Sequence, residues 1–508
     1  MRVVVRLCLL AVTFHHLRAA VRARGLLLGT DPEPAPPVAW PTVLVQLPIR
    51  DEFYVVDQAL DALAALDYPR DRLRIQVLDD STDATAARVD EKVAALRARG
   101  VPVSVVRRSH RVGFKAGALA AGLRQDDAEL VAMFDADFTP EPSFLRRVVP
   151  HFTDPAVGMV QTRWTYPRHG RPLFERLQAV ILDALFTVEQ GAHSRRDEPF
   201  QFNGTSGIWR RRCIDDAGGW KADSLTEDLD LSLRALRRGW RFVHLVDTAS
   251  PCILPPDLAS FRIQQYRWAK GNAQLLRREA GALLGRSRLG WGDRMSLLTR
   301  LGRHLVHPLL MLAALAFPAT TLYGLPTLFE YPTAVNAGVL MGAAGSVVAY
   351  LSAGQRILHR ASWLRRSWLG VLAVPLAIGL GPTYAYAFLR GLMGRDAGKF
   401  ARTPKAGPAP RRTSTSPGPP PRYRPRWPWL ILVEIALAAA YGYWTWEVAS
   451  RAEWSRLPLF VLFAASYGGT VIGTAVGHVR WRQGRVAAAA PGTTTGRVAA
   501  GAVERAAS

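Results

Sequence analysis

Five long apolar stretches in the C-terminal part of the chain constrain its fold more than any other sequence feature. They lie after residue 303 and cover residues 305–325, 334–353, 367–391, 427–447 and 456–477. Each is close to the ~20 residues that an α-helix needs to cross a bilayer. Because residues 40–300 have a different pattern, we predict a separate domain followed by a helical membrane domain over residues 286–480.

The third apolar stretch differs from the other four. It contains Pro375 and the sequence Gly-Leu-Gly-Pro at 379–382, which favour a bent helix at the membrane interface. A basic, proline-rich loop at 392–426 follows, and basic loops prefer the cytosolic side. If the domain before residue 303 is also cytosolic, an even number of crossings separates it from this loop. We therefore expect four full C-terminal spans and one interfacial or re-entrant segment.

The charge of the chain agrees with a membrane protein. Its formal net charge is +24, and most of its arginine clusters flank apolar stretches. This distribution favours contact with anionic lipid headgroups and argues against a nucleic-acid partner. The three cysteines, Cys8, Cys213 and Cys252, have neither metal-ligand nor redox spacing, so the sequence supports no disulfide framework or zinc site.

Two terminal segments lie outside the main domains. Residues 1–38 contain an apolar stretch that Arg6 interrupts and then a proline-rich linker at 31–37, and we interpret them as a membrane-associated segment. Residues 481–508 are rich in alanine, glycine and threonine, and we expect them to be disordered.

Residues 39–285 alternate between apolar, β-rich runs and amphipathic helical patterns. Candidate strands lie at 42–48, 73–79, 103–108, 129–137, 157–164 and 241–247. Candidate helices between them lie at 54–66, 83–98, 141–150 and 171–190. Such alternation is typical of an α/β domain with a mainly parallel sheet.

Acidic residues stand at the ends of two of these strands. Asp79 and Asp80 end the strand at 73–79, and Asp135 and Asp137 end the one at 129–137. Ligands of open parallel sheets bind beyond the carboxyl ends of the strands. An Asp-x-Asp sequence there can share a Mg²⁺ or Mn²⁺ ion with a diphosphate. One such sequence alone is more often a solvated turn, but two acidic strand ends in one sheet favour a binding site.

Three further elements carry candidate site residues. Lys115 opens a helix, where an ammonium group and free backbone amides suit a phosphate. The sequence TED at 226–228 also begins a helix and is a candidate for the site. A threonine followed by carboxylates is also common at helix N-termini, so a purely structural N-cap is an equally good interpretation. The sequence QQYRW at 264–268 lies in a basic helix, which by itself also fits an amphipathic helix on the bilayer.

Together these elements resemble the family 2 glycosyltransferases of the cellulose synthase superfamily, and look especially like the plant cellulose synthase-like mannan and glucan synthases. The resemblance extends over about residues 40–280. It rests on VQLPIRDE, LDYPRDRLRIQVLDDSTDAT, GFKAGAL, FDADFTPEPSFL, VQTRW, FTVEQ, FNGTSGIWRR, AGGWKADSLTEDLDLSLRA and QQYRWAKGN. The family implies a GT-A type nucleotide-sugar-binding domain followed by an α-helical transmembrane domain.

The family signature D, DxD, TED and QxxRW implies roles for the matching residues. Those implied for nucleotide-sugar binding are Asp79, Asp80, Asp135, Gln264 and Arg267, and the helix-start argument adds Lys115 to them. The implied metal ligands are Asp135 and Asp137. Asp228 resembles the catalytic base, Glu227 lies beside it near the acceptor, and Trp268 would face the acceptor sugar.

The chain departs from the family pattern in two places. Phe400, Thr403 and Lys405 in FARTPK resemble the family's FxVTxK gating loop, but Arg402 replaces the usual valine. Near the start of the domain, Asp51 stands where the relatives usually have an asparagine. An aspartate there accepts hydrogen bonds but cannot donate them through its side chain.

The resemblance implies an inverting hexosyltransferase that extends a β-linked polysaccharide, with Mg²⁺ or Mn²⁺ as cofactor. The implied donor is UDP-glucose or GDP-mannose, with a slight preference for UDP-glucose. The implied setting is the lipid bilayer of the cell inner membrane, crossed several times, with a cytosolic catalytic domain. Two alternatives stay open: a glycolipid-forming enzyme of the same fold, which the gating-type loop disfavours, and a non-catalytic nucleotide-binding membrane protein, which the intact acidic motifs disfavour.

Overall fold

A seven-stranded sheet forms the centre of the first domain. The computed structural model of the chain describes residues 2–27, 29, 31–166, 172–285, 288–323, 333–394 and 427–482. The strands are β1 Val43–Ile49, β2 Leu73–Asp79, β3 Val103–Val106, β4 Leu130–Met133, β5 Val157–Thr165, β6 Gly207–Arg210 and β7 Arg241–Pro251. Their order across the sheet is β3-β2-β1-β4-β6-β5-β7.

Most neighbouring strands are parallel, which confirms the predicted α/β class. β1 pairs in parallel with β2 and β4, β2 with β3, and β5 with β7, whereas β6 is antiparallel to β4 and β5. All six predicted strands are present. The prediction missed β6, because this strand has only 4 residues and leads directly into the charged run at 210–212.

Helices cover both faces of the sheet. In chain order the helices of this half are α1 Arg2–Arg22, α2 Val56–Ala64, α3 Thr85–Ala98, α4 Phe114–Leu123, α5 Phe144–Val148, α6 Leu173–Ala184, α7 Ala192–Ser194, α8 Arg211–Asp216, α9 Glu227–Arg238 and α10 Leu258–Leu284. A π-helical turn, Leu185–Gly191, joins α6 to α7, and 3₁₀ turns lie at Ala23–Leu27, Arg70–Arg72, Val149–Thr153 and Arg303–Leu305. The four predicted helices are confirmed, with shifted ends.

Alternate residues of the central strands face two hydrophobic cores. Val45 and Val77 belong to a core that also contains residues of α2, α3 and α5. Leu44 and Leu78 belong to a second core, which α4, α8 and α9 complete. Because both faces of the sheet are covered, these strands read as continuous apolar runs rather than as alternating patterns.

The described part of the chain after residue 290 is helical. Its helices are α11 Trp291–Leu301, α12 Val306–Leu322, α13 Thr333–Leu358, α14 Trp363–Ser367, α15 Leu369–Gly379, α16 Gly381–Met393, α17 Ile431–Ser450 and α18 Leu457–Arg482. Among the described residues, α18 alone is a single helix long and apolar enough to cross a membrane. Two bent helix pairs, one from α11 into α12 and one from α14 to α16, also meet this criterion if each forms one span. The expected number of four spans stays a prediction.

The bend expected around Pro375 and Gly379 is present. The helical segments on its two sides meet at 57°. Before the bend, Gly379 touches α18, where an added Cβ would lie 2.4 Å from the carbonyl oxygen of Ser466. After the bend, α16 packs on α10, and a Cβ added to Gly391 would lie 2.5 Å from the carbonyl oxygen of Lys270. The bend therefore returns the chain to the first domain.

Candidate active site at the carboxyl end of the sheet

The segment that follows β4 carries the first part of the candidate site. The Lys115 ammonium lies 2.6 Å from the Asp135 carboxylate and 2.8 Å from the carbonyl oxygen of Gly204. The backbone N–H of Asp135 donates to the hydroxyl of Thr205 at 2.9 Å. Lys115 lies in the first turn of α4, whose entry is set by Gly113 with a φ of 78°. The lysine thus joins the predicted helix start to the predicted Asp-x-Asp strand end.

The TED sequence begins α9 beside this lysine. Glu227 and Asp228 lie in its first turn, and a Cβ added to Gly204 would lie 2.9 Å from the Asp228 carboxylate. The Thr226 hydroxyl makes no hydrogen bond to any residue that the structure describes. Thr226 therefore occupies the N-cap position of α9, but its side chain does not cap the helix. Gly204, whose φ is 81°, allows the loop that carries it to pass directly against the Asp228 side chain.

One face of α10 lies against the start of α9. A Cβ added to Gly271 would lie 2.4 Å from the Thr226 Cγ2 atom, and the Gln274 side chain accepts the backbone N–H of Leu225 at 3.1 Å. Arg267 stands four positions before Gly271, so both lie on the same face of the helix. The missing side chain at Gly271 lets α10 approach closely and brings the QxxRW arginine to the TED turn.

The ionisable groups at this point share a poorly hydrated environment, which shifts their pKa values. Burial raises the pKa of Glu227, and burial together with the Glu227 carboxylate raises the pKa of Asp228 to about 7. Burial lowers the pKa of Arg267, although the carboxylates of Glu227, Asp135 and Asp228 partly offset this effect. Burial also opposes the charged form of Lys115, but the carboxylates of Asp135, Glu227 and Asp228 together outweigh it, so the pKa of Lys115 is raised. Asp228 is therefore a group able to exchange a proton near neutral pH.

Buried glutamines hold the loop at 201–206 that presents Gly204. Gln161 of β5 accepts the backbone N–H of Asn203 at 3.0 Å. Gln190, in the π-helical turn, exchanges two hydrogen bonds with the Asn203 side chain, at 3.1 and 2.9 Å. π-Helical turns are rare and occur frequently at functional sites. Here the turn directs a buried amide to the loop and so fixes the position of Gly204.

The first acidic cluster is paired with arginines that follow β3. Arg107 lies 2.8 Å from the Asp79 carboxylate, and Arg108 forms an ion pair with Asp80. Arg108 also donates to the carbonyl oxygen of Phe114 at 3.0 Å. It therefore connects the end of β2 with the start of α4, the helix that carries the site lysine.

Asp51, which replaces the usual asparagine, acts here as a hydrogen-bond acceptor. Its carboxylate accepts the backbone N–H of Thr82 at 2.8 Å. Its φ of 51° is left-handed, a conformation that Asp and Asn adopt more readily than other residues with side chains. The Asp51 side chain therefore binds the turn that follows β2.

A divalent cation fits this end of the sheet only if a bound substrate supplies part of its coordination shell. Among the described residues, no group of three or more His, Cys, Asp or Glu is arranged to hold a metal ion. Asp137 is buried, and Asp135 lies beside Lys115. Mg²⁺ commonly takes one or two protein carboxylates and completes its shell with substrate phosphates and water. The residues present fit a cation of that kind and do not fit one held by protein groups alone.

The structure describes two of the remaining predicted site residues and does not describe the other three. Gln264 and Trp268 are half-buried on α10, and Trp268 packs against the core that contains α2 and α3. Phe400, Thr403 and Lys405 of the gating-type sequence lie outside the described residues.

Sequence reasoning missed the residues that hold the site in place. Gly204 and Gln190 lie in FNGTS and FTVEQ, which carried the family resemblance but received no individual role. Gly271 stands four residues after Arg267, a helical spacing that was available as a signal. The pairing of Arg108 with Asp80 left no sequence signal, because the two residues follow different strands.

Two family profiles match the chain across this domain. The profile described as "Glycosyl transferase family group 2" matches residues 130–381, and that described as "Glycosyl transferase family 2" matches residues 45–214. The chain belongs to glycosyltransferase family 2. The matched ranges include all four signature elements, from Asp79 to Trp268, and confirm the family that the sequence resembles.

This family 2 glycosyltransferase is similar to plant enzymes of known name. Glucomannan 4-beta-mannosyltransferase 2 of Arabidopsis thaliana is 44% identical over 244 residues, which are 47% of this chain and 46% of the plant protein. Glucomannan 4-beta-mannosyltransferase 1 of Oryza sativa subsp. japonica is 42% identical over 247 residues, 47% of each chain. The match thus spans about half the length of these relatives.

A solved structure supports the GT-A fold of this glycosyltransferase. The mannosyltransferase from Pyrobaculum calidifontis in complex with GDP-Man and Mn²⁺ superposes with a TM-score of 0.53. The likeness covers 77% of this chain and 100% of that chain, with 23% sequence identity. At this identity the likeness shows the fold alone, and the expected fold is confirmed.

We predict that Gln190→Leu loosens the loop at 201–206. The variant loses both amide hydrogen bonds to Asn203, which we expect to cost ~1–3 kcal/mol of stability. Hydrogen exchange with mass spectrometry should show faster exchange in peptides that cover the loop, and the melting temperature in detergent should fall. Gln125→Leu, an exposed position after α4, serves as the control and should change stability by less than ~0.5 kcal/mol. Unchanged protection of the loop in Gln190→Leu would contradict the assignment.

Proposed function

We propose that this chain transfers mannose from GDP-mannose to a growing β-linked glycan, as an inverting enzyme embedded in a membrane. The observation that carries the proposal is the meeting of Lys115, Asp135, Glu227, Asp228 and Arg267 at the carboxyl end of the sheet. This set combines cations for a diphosphate with a carboxylate for a hydroxyl proton. A binding protein without catalysis would need only the first of these.

The cationic groups serve the donor side of the reaction. A nucleotide diphosphate leaves with negative charge, which Lys115 and Arg267 would offset through charge-assisted hydrogen bonds. Asp135 and Asp137 would hold Mg²⁺ or Mn²⁺, which when bound adds Lewis-acid stabilisation of the leaving group. The residues proposed to complete the nucleotide-sugar site are Asp79, Asp80 and Gln264.

Asp228 serves the acceptor side. A sugar hydroxyl is a poor nucleophile until a base removes its proton, and a base works best when its pKa is near the working pH. The pKa of Asp228 is raised to about 7, so a large fraction is ionised at neutral pH and can accept that proton. Glu227 lies beside it, and Trp268 offers an aromatic surface for the apolar face of the acceptor sugar. A single displacement at an α-linked donor then gives a β-linked product.

The sugar is proposed from the relatives, since the acidic motifs do not choose it. Both plant relatives are named glucomannan 4-beta-mannosyltransferases, which favours GDP-mannose over the slight sequence preference for UDP-glucose. The test is to incubate the purified full chain in detergent with a panel of labelled nucleotide-sugars and to digest the product with linkage-specific glycosidases. Glucose incorporation without mannose incorporation would refute the proposed donor, and no incorporation from any donor would refute the proposed reaction.

We propose that residues 39–285 form the catalytic domain and that α12, α13, α17 and α18 cross the bilayer. Contacts between the ends of several of these helices and residues 39–285 support this arrangement. Trp481, at the end of α18, donates to Asp257 before α10 at 2.6 Å. Gln355, near the end of α13, donates to Asp183 of α6 at 2.9 Å. The opposite ends meet elsewhere, because Tyr323 after α12 donates to Glu447 near the end of α17 at 3.3 Å.

Exposed tryptophans agree with this arrangement. Trp427 and Trp429 are exposed just before α17, and Trp446 and Trp454 are exposed near its other end. The segment between Trp429 and Trp446 is about 26 Å long at the helical rise of ~1.5 Å per residue. That length is close to the ~30 Å hydrocarbon core, at whose two surfaces tryptophan concentrates. With α15 and α16 re-entrant, the catalytic domain and residues 392–426 lie together on the cytosolic side of the cell inner membrane.

We predict that Asp228→Asn lowers turnover by ~10²- to 10⁴-fold, the usual range for the loss of a general base. Asparagine has nearly the same shape but cannot take the proton from the attacking hydroxyl, so donor affinity and melting temperature should stay close to those of the wild type. Rate, nucleotide affinity and melting temperature are measured side by side. Asp127→Asn is the control, because Asp127 is an exposed carboxylate away from the site, and it should keep full activity. A near wild-type rate in Asp228→Asn would show that another group is the base.

We predict that excess chelator abolishes transfer and that Mg²⁺ or Mn²⁺ restores it. The physical reason is that Asp135 and Asp137 are oxygen donors at a strand end where a diphosphate would complete the metal shell. Asp137→Ala should not regain activity at any metal concentration, whereas Asp127→Ala should respond like the wild type. Full activity in excess chelator would refute metal dependence.

We predict that the loop after α17 faces away from the cytosol. In a cysteine-free variant of the chain, Trp454→Cys should react with a membrane-impermeant maleimide added to intact spheroplasts. Asp127→Cys, in the catalytic domain, should react only after the membrane is permeabilised. The reverse labelling pattern would contradict the proposed topology.

A further inference from the structure

Helix α10 has a buried arginine, Arg262, on the face opposite the candidate site. The Arg262 guanidinium forms a two-pronged ion pair with Glu434 of α17, with Nη2 to Oε2 at 2.8 Å. The same guanidinium donates to the hydroxyl of Thr383 in α16 at 2.9 Å and to that of Thr474 in α18 at 3.0 Å. The Arg262 and Glu434 side chains are 4% and 0% exposed, so the pair is shielded from water. One side chain of the catalytic domain thus joins three helices of the C-terminal part.

Stability alone does not account for this pair. Glu434 lies in the first turn of the apolar helix α17, and its carboxylate is completely buried. Buried ionisable residues in such helices are costly and usually functional. A buried ion pair costs two desolvations, and well-packed apolar residues in its place are often equally stable. What a planar guanidinium–carboxylate contact adds is geometric specificity, since both groups must keep their orientation to keep two hydrogen bonds.

The geometry of α10 relates this pair to the candidate site. Arg262 and Arg267 are five residues apart, which places them about 140° apart around the helix axis. On the side of Arg267, Gly271 touches Thr226 and Gln274 binds Leu225. A rotation of α10 by about 20° would move a guanidinium ~6 Å from the helix axis by ~2 Å. Misplacements of about 1 Å at a reacting centre can cost ~10²-fold in rate.

We propose that Arg262 and Glu434 are positioning residues, which fix the rotation of α10 on the membrane helices so that Arg267 meets Glu227 and Asp228. The inference rests on the proposed function only for its activity measurement. Arg262 itself does not touch the donor or the acceptor. It acts through the helix, and the hydroxyls of Thr383 and Thr474 orient it.

The test replaces the pair with apolar residues, as Arg262→Met with Glu434→Leu in the full chain. We expect a melting temperature near that of the wild type, because no unpaired charge is left behind. We expect kcat to fall by ~10- to 100-fold with less than about a threefold change in the donor KM. The reason is that Arg267 is proposed to offset charge that develops on the leaving diphosphate in the transition state, whereas most of the groups proposed to bind the donor lie outside α10. Hydrogen exchange of peptides covering 222–230 should become faster, because Gln274 no longer holds the Leu225 amide in register. If the pair contributed only to stability, this stable variant would keep the wild-type kcat and the wild-type hydrogen exchange of peptides covering 222–230.

A matched control pair lies away from the site, on α2 and α3. There the Arg88 guanidinium and the Asp57 carboxylate form an ion pair at 2.6 Å. Arg88→Met with Asp57→Leu should leave kcat and the exchange of 222–230 unchanged. If the Arg262/Glu434 double variant does not fold, Thr383→Val with Thr474→Val is used instead. We expect a ~3- to 10-fold fall in kcat, measured well below the melting temperature, and a loss of ~1–3 kcal/mol of stability from the two missing hydrogen bonds. Wild-type kcat and exchange in either variant would overturn the inference. If the wild type transfers no sugar, the proposed function fails, and the exchange measurement still decides the positioning role.

Discussion

The candidate site depends on keeping carboxylates together where water is scarce. Asp135, Glu227 and Asp228 come from two distant parts of the chain, and alone they would repel one another or take up protons. Lys115 and Arg267, which come from two further helices, supply the compensating charge. The acidic residues can therefore hold their positions only when β4, α4, α9 and α10 are all assembled. The chemistry and the tertiary fold depend on the same contacts.

The sequence predicted those parts of this assembly that follow from local patterns and general rules of topology. Continuous apolar runs gave six of the strands, and the rule that parallel strands place ligands at their carboxyl ends singled out Asp135. The bend between α15 and α16 followed from Pro375 and the glycines around it, because these residues weaken a helix wherever it lies. The family resemblance added the roles of Asp228 and Arg267, which local patterns could not assign.

What the sequence could not predict depends on contacts between distant residues. The hydrogen bond from the Gln190 amide to Asn203 could not be predicted, because the π-helical turn that carries Gln190 has no clear sequence pattern. The partner of Glu434 in α17 could not be predicted either, because Arg262 lies 172 residues away along the chain. Short β6 was lost for a related reason: an antiparallel strand of 4 residues is stabilised by its neighbours and hardly by its own composition.

Helix α10 is part of both halves of the protein, and its two faces differ in how they make contact. Towards the site, Gly271 has no side chain, so the backbone of α10 can contact the TED turn. Towards α16, the glycine lies on the neighbouring helix: Gly391 of α16 lets that helix contact the backbone of α10. Close contacts of this kind resist movement of the helix towards its neighbours, and the Arg262–Glu434 pair is proposed to fix its rotation. A 27-residue helix held in this way transmits a displacement at one end to the other. The contacts of α10 therefore connect the C-terminal helices with the candidate site.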